Sequence, residues 1–280
     1  MKILVFGKTG QVARELSRQA NVTALDRTQA DLSDPAACAE IIEQTDADVI
    51  INAAAYTAVD QAEVDEDLAA TINATAPTQM AKAAAARGLP FVHISTDYVF
   101  DGSGSAPHKR DDITAPINAY GRTKLAGERG VIAAGGTYAI LRTSWVFSAH
   151  GVNFVKTMLR LGKERDALKV VEDQLGGPTS AADIAAALLQ IASQLRLDTS
   201  GTYHYSGAPD VSWKEFSTEI FQQAGLAVEV SGIRTSAYPT PAARPLNSQL
   251  DCTMLENMFG IPRPNWQEGL TEVLQDLGEI

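Results

Sequence analysis

Short, mostly apolar runs recur along the first half of the chain: Ile3 to Phe6, Val22 to Leu25, Val49 to Ile51, Phe91 to Ile94 and Tyr138 to Leu141. Runs of this length without a polar alternation are the pattern of strands buried on both faces, as in a parallel sheet. Longer Ala-rich stretches separate them and carry helix punctuation. Asp34-Pro35 opens one as an N-cap with Pro in the first turn, and Gly88 with Pro90 closes another just before a strand. Alternating strands and helices predict a doubly wound parallel α/β sheet with right-handed crossovers. After about Leu141 the rhythm changes. Helices are expected around Phe154 to Leu161 and Ala181 to Gln194, a strand at 201 to 206, and an ordered loop through Tyr238 to Pro245, where Pro239, Pro241 and Pro245 exclude a helix. The expected division is a first domain over 1–145, completed by segments from about 168–206, and a smaller lobe from 146–167 and 207–280.

The first strand runs directly into Gly7-Lys8-Thr9-Gly10-Gln11-Val12-Ala13, a G-x-x-G-x-x-A turn that opens a helix. Glycines let the backbone approach a pyrophosphate, and a helix N-terminus offers it free N–H groups. The turn lacks the Gly-Lys-Ser/Thr ending of a P-loop. The second strand ends at Asp26, close to the spacing at which a carboxylate holds the adenosine ribose hydroxyls of NAD, whereas Arg27 beside it suits the 2′-phosphate of NADP. Asp31 and Leu32 follow as adenine-side candidates, and Ala53, Ala54 and Ala55 end the third strand with side chains small enough to admit a cofactor.

Ser95-Thr96-Asp97-Tyr98 ends the fourth strand, and Tyr120 and Lys124 lie four residues apart, hence on one helix face. A phenol titrates near 10, so a neighbouring ammonium that lowers its pKa makes it a more useful proton carrier, and a strand-end hydroxyl can bind the oxygen that exchanges the proton. Each feature alone is commonplace. A dinucleotide turn, a hydroxyl at the fourth strand end and a Tyr/Lys pair in one chain point together to nicotinamide redox chemistry.

Composition narrows the ligands. Lys and Arg number 23 against 34 Asp and Glu, a formal charge of −11 over 280 residues, which argues against a broad nucleic-acid or anionic-membrane surface and confines any anionic small molecule to a locally basic pocket. No stretch approaches the about 18 unbroken apolar residues of a membrane span, and the N-terminal apolar run is too short for a signal peptide. Cys38 and Cys252 form no framework and match no metal or redox spacing. A soluble chain in a reducing, cytoplasmic compartment is expected.

The chain resembles the extended short-chain dehydrogenase/reductase superfamily, and within it the dTDP-4-dehydrorhamnose reductase family. The matching strings are FGKTGQVARELS at 6–17, NAAAYTAVDQAE at 52–63, HISTDYVFDG at 93–102, NAYGRTKLAGE at 118–128, RTSWVF at 142–147 and DQLGGPTSAADIA at 173–185, with the likeness running to about residue 255. The resemblance implies a Rossmann-type sheet with a smaller C-terminal α/β substrate-binding lobe. The implied enzyme takes a hydride from NADPH or NADH to the 4-keto group of dTDP-4-dehydro-6-deoxy-L-mannose. Its product, dTDP-L-rhamnose, serves rhamnose-containing cell-surface polysaccharide. It places Thr96, Tyr120 and Lys124 at the catalytic positions, with Lys124 orienting the cofactor ribose and Thr96 polarising the ketone. Gly7, Gly10, Gln11 and Val12 fall on the phosphate turn; Asp26, Asp31 and Leu32 on the adenosine side; and Ala53, Ala54, Ala55, Tyr56 and Thr57 beside the nicotinamide. Asp97 and Trp145 match sugar contacts, and Arg244, in the stretch that closes over the nucleotide, is the candidate for the substrate diphosphate. Two positions depart from the pattern: Ala13 replaces the third glycine, and Tyr56 brings a large ring to the nicotinamide side. Some relatives form Mg²⁺-linked homodimers through acidic residues including the position of Glu15, which leaves both metal and dimer open. Two other readings share the features: an epimerase or dehydratase on another nucleotide sugar, and a non-catalytic nucleotide-binding regulatory subunit. The intact Thr96, Tyr120 and Lys124, and the lack of an acidic partner after Asp97, favour the reductase.

Overall fold

A computed structural model describes all of residues 1–280. Its main sheet has six parallel strands: β1 (Ile3–Phe6), β2 (Val22–Leu25), β3 (Val49–Asn52), β4 (Phe91–Thr96), β5 (Tyr138–Thr143) and β10 (Gly201–His204). They lie in the order β2-β1-β3-β4-β5-β10. The doubly wound fold anticipated from the alternating pattern is the fold observed. β1 and β3 are buried along their whole length, as their apolar runs require, whereas the edge strand β2 is only half-buried. The chain winds one way from β1 to β2 and the other way from β3 onward. The switch point therefore lies between β1 and β3, where a crevice opens at the carboxyl ends of the strands.

Helices cover both faces. On one side α1 (Gln11–Gln19) and α8 (Ala181–Gln194) pack against the sheet through Leu16, Ile184, Leu188 and Ile191. On the other lie α2 (Pro35–Gln44), the short α3 (Val59–Ala62), α4 (Glu66–Ala70), α5 (Ala76–Ala86) and α6 (Ala119–Ala134). Asp34 caps α2 by accepting from Ala37 N–H, with Pro35 in the first turn. Asn118 caps α6 by accepting from Gly121 N–H at 2.8 Å. Gly121 carries α6 so close to the Tyr98 carbonyl that a Cβ there would collide with it; that contact brings Tyr120 and Lys124 up to the end of β4.

The second lobe is stitched from short strands. β7 (Ala167–Val171) pairs with β12 (Glu229–Ile233), β8 (Leu175–Gly176) lies between β11 (Val211–Ser212) and β13 (Asn247–Ser248), and β6 (Val146–Phe147) pairs with β9 (Thr179–Ser180). Its core gathers Phe147, Val155, Phe216, Ile220, Trp266 and Leu270 from β6, α7 (Phe154–Glu164), α9 (Trp213–Gln223) and α11 (Trp266–Asp276). The division differs from the expected boundaries at two places. Residues 167–176 pair within the small lobe, so the main sheet regains the chain only at α8 and β10. α10 (Thr253–Phe259) returns to the first lobe, its Leu255 and Phe259 burying in the same core as Leu188 and Tyr203. The Pro-rich stretch is an ordered loop after a single turn at Thr235–Ala237. No helix is long and apolar enough to cross a membrane.

A buried ion pair ties α6 to the sheet: Arg142 of β5 donates two hydrogen bonds to Glu128, at 2.9 and 2.7 Å, with both side chains nearly inaccessible.

Candidate active site

A cavity of about 770 Å³ fills the switch-point crevice, within the range of sites that enclose cofactor-sized ligands. Its floor begins where β1 ends. Gly7 takes φ +105°, a conformation that L side chains rarely adopt, and its bare Cα sits close against the backbone of Ala53 and Ala54 at the end of the neighbouring strand β3. No side chain caps α1 at Gly10, so the first-turn amides, with Gln11 and Val12, open onto the cavity. That is the cradle a pyrophosphate requires.

At one end stand the groups expected around the adenosine. Asp26 accepts from Thr28 through both backbone and hydroxyl and lies 3.6 Å from the Lys8 ammonium, contacts that hold its carboxyl below the usual range and keep it ionised. Arg27 is largely exposed and pairs with Asp31 at 3.1 Å. Leu32 lines the cavity from the hydrophobic core. Lys8 adds a cation that the sequence argument passed over, although it sits inside the glycine turn. Ala53, Ala54, Ala55 and Thr57 line the middle of the cavity. Tyr56 lines it too, with its backbone amide held by Asn73 and its phenol turned onto Asp65 at 3.2 Å.

Beyond lies the reactive group. The Thr96 hydroxyl accepts from Tyr98 N–H at 3.1 Å and donates to Asp97 Oδ1 at 3.0 Å. Tyr120, beside it, meets Tyr98 edge to face at 5.7 Å. Burial and the Asp97 carboxylate push the Tyr120 phenol well above the usual 10, only partly opposed by a hydrogen bond with Thr96. Asp97 itself is pushed up to about 7, chiefly by burial. Ser248 approaches it from β13 and Thr96 bonds one oxygen, but Oδ2 has no close partner. Lys124 donates to the Ile94 carbonyl at 2.6 Å, lies 3.3 Å from His93, and is lowered by burial to about 8. Its nitrogen is thus anchored on β4, and the Tyr120 phenol, expected from the sequence to be lowered by Lys124, moves up, not down.

Three buried polar atoms lack any partner in the protein: Ser95 Oγ, Asp97 Oδ2 and Thr143 Oγ1. All three belong to residues lining this one cavity. Orphaned polar atoms are costly unless a ligand satisfies them, so their convergence fits a bound polar molecule. At the outer end Trp145, with φ +49°, stacks on Trp213 with centroids 3.6 Å apart and planes 11° from parallel. Trp213 is fixed by an indole N–H bond to Gln174 at 3.0 Å. The sequence offered no signal for Trp213, because the stack joins segments far apart in the chain, both packed on the small-lobe core.

Two further expected residues are held in ion pairs. Arg244 lies close enough for its charge to act on the cavity-lining Tyr98, and it donates to Asp60 at 2.9 Å, fastening the Pro-rich loop to α3. Glu15 is buried on α1, its oxygens taken by Arg18 at 2.8 Å and by His150 Nε2 at 3.1 Å. No group of three or more His, Cys, Asp or Glu side chains could hold a metal ion, and a carboxylate already paired with a guanidinium is a poor match for a hard cation. Within one chain Glu15 is thus committed to Arg18 and His150.

Among known protein families, the profile described as the RmlD substrate binding domain matches residues 1–279. A dTDP-4-dehydrorhamnose reductase from Burkholderia thailandensis is 46% identical, the alignment covering 99% of each chain; one from Sinorhizobium fredii is 44% identical over 96% of this chain and 95% of its own. Among solved structures, a dTDP-4-dehydrorhamnose reductase from Clostridium acetobutylicum superposes with a TM-score of 0.93 at 41% identity, covering 99% of this chain and all of that one. Another from Bacillus anthracis, solved in complex with NADP, superposes with 0.92 at 36% identity over the same shares.

Proposed function

This chain belongs to the dTDP-4-dehydrorhamnose reductase family, and from that premise we propose that it reduces the 4-keto group of dTDP-4-dehydro-6-deoxy-L-mannose to give dTDP-L-rhamnose. The observation that carries the reading is the meeting of Thr96, Tyr120 and Lys124 with the Gly7–Gly10 turn in one cavity. NADPH or NADH, when bound, supplies the hydride. The first-turn amides of α1 hold its pyrophosphate, Asp26 its adenosine ribose, and Lys8 or Arg27 a 2′-phosphate if one is present.

Reduction leaves an alkoxide that must be protonated, which needs a donor that is still protonated at neutral pH. The Tyr120 phenol, raised by burial and by Asp97, is such a donor. Thr96 gives its hydrogen to Asp97 and lies within hydrogen-bond reach of the Tyr120 phenol, so it positions that hydroxyl. Lys124, held on the Ile94 carbonyl, lines the same wall as Tyr120 and offers its remaining hydrogens to the cofactor ribose. The Trp145–Trp213 stack presents an apolar wall to the deoxysugar face. The activity belongs in the cytoplasm, where reduced nicotinamides and nucleotide sugars are held. Loss of reduced-nicotinamide absorbance with the dTDP-4-keto sugar, matched by dTDP-L-rhamnose, is the expected result. Conversion of the keto sugar without nicotinamide consumption would assign the site to an epimerase instead.

A further inference from the structure

His93 has no part in the reading above, yet it is the most enclosed polar side chain next to the reactive group, with no exposed surface. Its hydrogen bonds fix its tautomer. The Ala54 N–H donates to Asn52 Oδ1 at 3.1 Å, which sets the orientation of the Asn52 amide. The Asn52 amide nitrogen then faces His93 Nδ1 at 3.2 Å and can only donate to it. Burial holds the imidazole well below its usual 6.5, so the ring is neutral and, with Nδ1 accepting, carries its hydrogen on Nε2. That N–H lies 3.3 Å from Lys124 Nζ. An ammonium has three donors and no acceptor, so it cannot pair with an N–H; an amine can accept it while still donating to the Ile94 carbonyl.

We propose that His93 is a positioning residue for Lys124: the relay from Ala54 N–H through Asn52 presents an imidazole N–H to the Lys124 nitrogen, favours its amine form, and so sets the alkaline limit of the reaction. The inference rests on the reductase reading for its kinetic consequence but not for its structural one. The lowering of Lys124 to about 8 by burial points the same way. The other titratable groups around Lys124 are few. Glu128, one turn along α6, favours the ammonium but is itself bonded to Arg142 of β5. Tyr120 lies one turn back on α6. Asp97, at the end of β4, titrates separately at about 7.

Two variants act on the relay at different points. His93→Gln replaces the donor with an amide whose oxygen can turn to the ammonium. Asn52→Ala frees the ring to move its hydrogen to Nδ1, so that Nε2 accepts from the ammonium. Both should raise the Lys124 pKa. In kcat/KM for NADPH, which reports groups of the free enzyme, the alkaline limb near 8 should move up by about one pH unit or more in both variants, while the Asp97 step stays in place. A uniform loss of activity with an unmoved limb would show His93 to be mere packing. Independently of any substrate, the ¹⁵N–¹H spectrum of the wild-type imidazole should show the hydrogen on Nε2, and that of Asn52→Ala on Nδ1. A wild-type hydrogen on Nδ1 would overturn the relay. Absence of turnover with the dTDP-sugar in the wild type would count against the reductase reading, leaving the tautomer result to decide this one.

Discussion

Replacing Asp97 by asparagine changes one atom in a fully enclosed side chain, and its effect on stability should depend strongly on pH. The Asp97 carboxyl is raised from 3.8 to about 7 because the protein around it solvates the charge poorly: one oxygen receives the Thr96 hydroxyl and Oδ2 receives nothing close. Between these two values the folded chain binds a proton that the unfolded chain has released, so the stability contributed by the neutral carboxyl is complete below 3.8. It is then lost progressively as pH rises through about 7, beyond which no more is lost. Roughly three pH units at 1.36 kcal/mol each give a loss of about 4 kcal/mol. The amide introduced by Asp97→Asn cannot ionise and escapes that loss. Urea unfolding of both proteins without ligands, near pH 4.5 and near pH 8.5, isolates the effect, since the other carboxylates titrate alike in both and cancel in the difference. The Asp97→Asn variant should gain about 3–4 kcal/mol on the wild type between the two pH values. A difference that stays within about 1 kcal/mol would mean that Asp97 is well solvated when charged and ionised throughout the neutral range.

Arg27→Ala should weaken NADPH more than NADH, by about tenfold in the ratio of dissociation constants, because only NADPH brings a phosphate to the guanidinium; equal losses would leave Lys8 as the phosphate ligand. Trp145→Ala removes the indole that stacks on Trp213 and should raise KM for the dTDP-sugar about two- to tenfold with NADPH affinity unchanged. A fall in melting temperature with an unaltered KM would instead make the stack a joint between the lobes. Glu128→Ala strands a buried guanidinium that now donates two bonds to the carboxylate, and should cost about 3–5 kcal/mol of unfolding free energy; a loss under about 1 kcal/mol would show that Arg142 finds water or another acceptor.

The strands of the main sheet were legible because each is an apolar run closed by polar or small residues, and burial on both faces leaves no other use for such a run. The small lobe was less so. β8, β9, β11 and β13 are two residues each, too short to show a period, and their pairing joins segments far apart in sequence. In the site, local spacing carried the glycine turn, the strand-end Thr96 and the one-face pair Tyr120 and Lys124 into a single cavity. Spacing is silent on which charges find each other. Arg244, expected on a phosphate, also meets Asp60, and Lys124, expected to act on a phenol, also rests on a backbone carbonyl of β4; neither partner shows in the spacing. Trp213 and His93 carry no local signal either: one is defined by a stack on a residue far away in the chain, the other by a tautomer fixed across β3 and β4.

The central claim is that this chain moves a hydride from a nicotinamide to a sugar ketone while Tyr120 protonates the oxygen. NADPH deuterated at the transferable position, incubated with dTDP-4-dehydro-6-deoxy-L-mannose, should place deuterium on C4 of the product sugar, and Tyr120→Phe should slow that transfer roughly 10²- to 10⁴-fold without changing NADPH affinity. Product carrying no deuterium, or a Tyr120→Phe rate within about twofold of the wild type, would contradict it.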